Sequence, residues 1–132
     1  MRACLSLIRR YPVATALFVV VVYLSLFFLP PHIRLRDIAF IDKWTHIVMY
    51  GGSCLALWWE YWRQHSQPNW RRLLLLAWLA PVGLGAVLEL LQEYCTGGRR
   101  SGEWLDLAAN TTGVTIAALL GATLLRRMLR KG

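Results

Sequence analysis

Four long hydrophobic stretches alternate with short polar segments along this chain of 132 residues. A helix needs roughly 20 mostly apolar residues to cross the hydrocarbon core of a bilayer. Each stretch is about that long, and the first ends at Pro30-Pro31, a pair that cannot continue a helix. The pattern predicts one domain over residues 1–132, an all-α membrane protein with a four-helix transmembrane bundle. The expected spans cover about 11–29, 44–61, 73–94 and 105–125.

The composition agrees with a membrane protein. Hydrophobic residues make up 57% of the chain, which is more than a soluble domain of this size could bury. The net charge of +8 raises the possibility of nucleic-acid binding, but the basic residues lie in short groups between the apolar stretches. Charges that flank membrane spans have this distribution, so we expect no nucleic-acid partner.

The basic residues also predict an orientation. If the N-terminus is inside, ten of the fifteen Lys and Arg residues lie on the cytoplasmic side and five on the outer side. The positive-inside rule therefore favours a bundle with both termini inside. We expect a multi-pass protein of the bacterial cytoplasmic (inner) membrane.

Polar residues inside the predicted spans form stripes rather than a scatter. In spans two and four they recur every three or four residues, which puts them on one face of each helix. With the predicted orientation, the stripes of the last three spans all fall in the outer part of the membrane. Because intramembrane polar groups are costly, they are candidates for function. They are Asp42, His46, Tyr50, Glu89, Gln92, Asp106 and Asn110.

Two motifs in these stripes resemble a known family. Residues 42–50 are similar to the D-K-x-x-H-x-x-x-Y segment of the VanZ-like family. The later E-x-x-Q at 89–92, an arginine and D-x-x-x-N-x-x-G at 106–113 resemble its second signature. Arg99 and Arg100 are adjacent, and the spacing to Asp106 favours Arg100 as the family's arginine. The resemblance implies a small integral membrane protein of a family named for a teicoplanin-resistance protein, with no settled reaction.

A cationic rim above polar groups suits an anionic lipid headgroup, because Arg binds phosphate in a bidentate manner. We therefore expect the partner to be a membrane lipid or a lipid-linked envelope intermediate, with an influence on envelope properties or antibiotic susceptibility. The oligomeric state is left open. The expected ligand-binding residues are Asp42, Lys43, His46, Tyr50, Glu89, Gln92, Arg100, Asp106 and Asn110.

Three other interpretations of the same residues stay open. In an enzyme acting on a lipid headgroup, His46 would be the base or nucleophile, with Asp42, Glu89 and Asp106 as further catalytic candidates. One histidine among carboxylates is compatible with a divalent metal but not diagnostic, so we expect no metal and no cofactor. The polar groups could also only join the helices by hydrogen bonds.

Overall fold

The computed structural model describes residues 1–27, 39–95 and 104–131, and the side chains of 39–42 are not described. Within these ranges the chain is helical, with no strand. Five helices follow one another: α1 (Arg2–Arg10), α2 (Pro12–Phe27), α3 (Ala39–Gln64), α4 (Trp70–Cys95) and α5 (Trp104–Lys131). The prediction of an all-α protein is therefore confirmed for the described part of the chain.

The first predicted span is a bent pair of helices. α1 and α2 meet at Tyr11 at an angle of 107°. Pro12 occupies the first turn of α2, where its missing N–H costs no hydrogen bond and its fixed φ suits a helix start. The chain therefore turns sharply just before the apolar stretch, and α1 lies across one end of the bundle.

α4 and α5 each contain one wider π-helical turn, at Leu75–Leu79 and Gly121–Leu125. In α4 the turn comes just before Pro81, which has no N–H for the preceding turn and clashes with its carbonyl. In α5 the carbonyl of Gly121 accepts a hydrogen bond of 2.8 Å from Trp62 Nε1. A side chain that inserts into the ladder in this way explains the local change of pitch.

α4 and α5 are long and apolar enough to cross a membrane, and α1 with α2 make a third such span if the bent pair counts as one. The described helices thus support a membrane protein with two or three candidate spans. α3 has 26 residues but is less apolar, because it carries Lys43, His46, Glu60 and Arg63. Four spans are therefore not confirmed by length and composition.

The core lies along α3, which packs most extensively against α5 and next against α2. One buried cluster surrounds Tyr50, Cys54 and Val114, and a second surrounds Trp58 and Trp62. After Val48, α3 exposes no large apolar side chain, whereas α2, α4 and α5 expose many. α3 is thus the inner helix, and the others carry the apolar outer surface.

Glycine allows α3 and α5 to cross closely. A Cβ atom at Gly113 would lie 2.5 Å from the carbonyl oxygen of Ile47, and one at Gly121 would lie 2.3 Å from the Trp58 ring. Only a residue without a Cβ fits at such distances. Gly113, Ala117 and Gly121 follow one another at four-residue spacing and form a stripe of small residues in span four, a pattern that lets helices approach closely.

Candidate functional site

Five of the predicted site residues come together at one end of the bundle, where α3 begins, α4 ends and α5 begins. We call this the His46 end, and the opposite end, where α3 ends and α1 lies, the Glu60 end. Four of the five are buried and the fifth, Lys43, is partly buried. The five are Lys43, His46, Glu89, Asp106 and Asn110.

Asp106 is the centre of this group. It lies in the first turn of α5, where the helix dipole favours a negative charge. One carboxylate oxygen, Oδ1, pairs with the ammonium of Lys43, whose side chain is 21% exposed. The other, Oδ2, lies 3.6 Å from Nε2 of His46. Asp106 therefore holds together two side chains that are one turn apart on α3.

His46 lies between a carboxylate and an amide. Its Nδ1 is 2.9 Å from Oδ1 of Asn110, one turn after Asp106 on α5. With that oxygen as the acceptor, Nδ1 carries the hydrogen and donates it. The hydrogen bond to Asn110 fixes the orientation of the imidazole, and its other nitrogen faces the carboxylate of Asp106.

Glu89 brings a third helix to the group. Ligating atoms of His46, Glu89 and Asp106 all lie within 4.8 Å of one another, and all three residues are buried. One imidazole nitrogen and two carboxylate oxygens form a donor set that several divalent ions accept. The arrangement can therefore hold a cation, although Lys43 already places one positive charge on Asp106.

Two further predicted residues are buried about one helical turn from members of this group. Tyr50 is buried in the core one turn below His46. Gln92 is 1% exposed, and its Nε2 donates a hydrogen bond of 2.7 Å to the carbonyl of Ser25 on α2. This hydrogen bond of Gln92 joins α4 to α2. The predictions for the Asp42 side chain and for Arg100 lie outside the described residues.

Sequence reasoning missed Glu60, a buried carboxylate at the other end of the bundle. Its two oxygens accept hydrogen bonds from the backbone N–H groups of Val13, at 2.9 Å, and Ala14, at 3.0 Å. Helix N-termini leave such groups without partners, so Glu60 caps α2 from the last part of α3. The signal that could have found it is an acid inside the predicted span 44–61, three residues before Arg63.

Comparisons of the chain with models of protein families, with curated proteins and with solved structures find no match. The likeness to the VanZ-like family rests on the motifs in the sequence.

Proposed function

We propose that this chain is a four-span protein of the bacterial inner membrane, of the VanZ-like type, with both termini in the cytoplasm. Its His46 end faces outward and binds the anionic headgroup of a membrane lipid or lipid-linked envelope intermediate. Through that ligand the protein influences envelope properties, including the action of antibiotics at the outer surface.

The burial pattern favours α3 as the fourth span. A helix covered by its neighbours does not need an apolar residue at every position, because protein rather than lipid surrounds it. α3 has this setting, with α2 and α5 packed along it. At 26 residues its length is about 39 Å, enough to cross the hydrocarbon core.

The single observation that carries the binding proposal is the convergence of Lys43, His46 and Asp106 with Glu89 and Asn110 at one end. Packing alone needs few buried charges, since each costs desolvation energy. Lys43 is the most accessible of the set and stands at its edge, where a phosphate can reach the ammonium. By sequence, Arg99 and Arg100 come shortly before the α5 start and add positive charge for the same ligand.

Native mass spectrometry of the purified full chain tests this binding. We expect a defined lipid on the wild type that is lost by Lys43→Gln, by Arg100→Ala and by Glu89→Gln. Lys131 is exposed at the end of α5, so Lys131→Gln removes the same charge elsewhere and should keep the lipid. Equal retention by all variants, or loss by the Lys131 control as well, would overturn the proposal.

A second candidate function is catalysis on the bound headgroup, with His46 as base or nucleophile. The observation that favours it is the imidazole held between Asn110 and Asp106, which presents a ring of fixed orientation. His46→Gln keeps the size and much of the hydrogen bonding. A binding protein should retain its lipid in this variant and turn nothing over. If the wild type converts the co-purified lipid and His46→Gln does not, the protein is an enzyme and not only a binding protein.

A further inference from the structure

The Glu60 end of the bundle carries a concentration of arginines that the function proposed above does not use. α1 is strongly amphipathic, and Arg2, Ser6 and Arg9 share one of its faces at spacings of four and three residues. Arg10 follows at the end of the helix. Arg72 approaches from the first turn of α4.

These four arginines surround one cavity of about 740 Å³. α1 forms one wall, and the end of α3 and the start of α4 form the others. Among the described residues that line the cavity, none is Asp or Glu. The lining residues are Arg2, Leu5, Ser6, Leu7, Arg9, Arg10, Gln64 and Arg72.

The cavity is built by contacts that do not consume the arginine side chains. Gln64 Nε2 donates a hydrogen bond of 2.5 Å to the backbone carbonyl of Arg10, which ties the end of α1 to α3. Glu60, the buried acid of this end, accepts from the α2 backbone. Within the described part of the chain, the ion pairs lie at the His46 end and involve none of these four arginines.

Guanidinium groups gathered around one space repel one another, and an anion between them removes that repulsion. Phosphate suits such a set, because each Arg can offer two N–H donors in parallel. The α1 side chains of Leu5, which lines the cavity, and Ile8, which does not, are 52% and 48% exposed. An amphipathic helix of this kind lies in the membrane interface with its apolar side chains among the acyl chains.

We propose that this cavity binds the phosphate-bearing headgroup of an anionic membrane phospholipid, in the leaflet opposite to the His46 end. The bend of 107° between α1 and α2 supports this, since it places α1 across the direction of α2, along the membrane surface if α2 crosses the bilayer. The bound lipid then holds α1 against the bundle. This site is independent of the ligand proposed at the His46 end.

The test is a titration of the detergent-solubilised full chain with phosphatidylglycerol, phosphatidylcholine or inorganic phosphate, followed by native mass spectrometry. The double variant Arg9→Gln/Arg72→Gln removes two cavity arginines. Its matched control, Arg71→Gln/Arg130→Gln, removes two exposed arginines that do not line the cavity. If the double variant cannot be purified, the two single substitutions replace it.

We expect phosphatidylglycerol to bind the wild type and the control, and to bind the cavity variant about tenfold more weakly, the loss of about 1.4 kcal/mol. The titration is repeated with Lys43→Gln added to every protein, which removes binding at the His46 end, so a tenfold difference that persists belongs to the cavity and failure at either end is a separate result. An equal loss in the control variant would mean general surface charge and overturn the proposal. Equal binding of phosphatidylcholine would also overturn it, as would full competition by inorganic phosphate, which identifies a site for the free anion.

Discussion

At the scale of single residues, the buried carboxylates Asp106 and Glu60 have different kinds of partner. Asp106 is matched by side chains from another helix, Lys43 and His46. Glu60 is matched by the backbone of α2. The first arrangement leaves ionisable groups at one end of the bundle, where a ligand can use them. The second only completes a helix start, so Glu60 belongs to the stability of the fold.

Replacement of Glu60 should therefore lower stability in a graded way. Glu60→Ala leaves two backbone N–H groups of α2 without acceptors, at a cost of about 1–3 kcal/mol in the free energy of unfolding. Glu60→Gln keeps one oxygen that accepts, so the loss should be smaller. Thermal unfolding in detergent, followed by circular dichroism, measures both. If the two variants unfold at the wild-type temperature, Glu60 does not cap α2.

The donor set of His46, Glu89 and Asp106 makes metal removal informative. Because the ammonium of Lys43 already balances Asp106, we expect a chelator to leave the unfolding temperature of the purified protein unchanged. A fall in that temperature that Zn²⁺ restores in the wild type, and that is absent in Glu89→Gln, would contradict this expectation. It would instead assign a divalent metal to the three residues.

The sequence predicted which of these residues share a helix face, because helical periodicity fixes that directly. It also brought Asp106, Asn110 and His46 to the same end, since consecutive spans cross the membrane in opposite directions. The partner of each group could not be predicted. The pairing of Lys43 with Asp106 depends on the rotation of α3 against α5, and the cap formed by Glu60 depends on where α2 begins.

At the scale of helices, α3 and α5 pack closely because glycines, which have no side chain, lie where the two helices cross. Gly51 and Gly113 face each other, and a Cβ atom at Gly51 would lie 3.2 Å from the Gly113 carbonyl oxygen. The close crossing sets the distance between the α3 and α5 residues of the site. The stripe of small residues indicates such a contact from the sequence, but not which helix provides the other surface.

Gly113→Ala should destabilise the protein by about 1–3 kcal/mol, because the new methyl group would meet the Ile47 carbonyl at 2.5 Å and force the helices apart. Gly52→Ala is the matched control, since nothing lies within 4 Å of its Cβ position. It should be neutral or slightly stabilising, given the higher helix propensity of alanine. Thermal unfolding compares the two. Equal effects would show that the Gly113 crossing is not tight.

Helix boundaries were predicted with different success. α4 and α5 begin and end beyond the predicted 73–94 and 105–125, because polar residues continue a helix past its apolar part. α3 likewise runs from Ala39 to Gln64, where only 44–61 was expected. The π-helical turns were not predicted, since the insertion of Trp62 against Gly121 is a contact between distant parts of the chain.

At the scale of the whole molecule, the described helices form a bundle with two chemically different ends. The His46 end combines acids, an imidazole and an amide with Lys43, and the Glu60 end gathers arginines around a cavity. The apolar outer surface between them belongs to α2, α4 and α5, with α3 inside. Composition predicted the membrane class because so much apolar surface needs lipid. Whether α3 crosses the membrane has to be judged from its packing, because the polar residues that form the site lower its mean hydropathy.

In the proposed topology, α3 crosses the membrane and the His46 end faces outward, and the accessibility of cysteines tests both. The chain supplies two of the probes, because Cys4 and Cys95 are exposed and lie at opposite ends, whereas Cys54 is buried. A third comes from Ser66→Cys in the turn between α3 and α4. Each cysteine is kept singly, with the others replaced by alanine, and intact cells are treated with a membrane-impermeant maleimide before and after lysis.

We predict that Cys95 reacts in intact cells, whereas Cys4 and the cysteine introduced by Ser66→Cys react only after lysis. If Cys4 and Cys95 are protected together while the position 66 probe reacts in intact cells, α3 does not cross the membrane and the four-span account is wrong. If Cys4 reacts in intact cells and Cys95 does not, the bundle is inverted and the His46 end faces the cytoplasm.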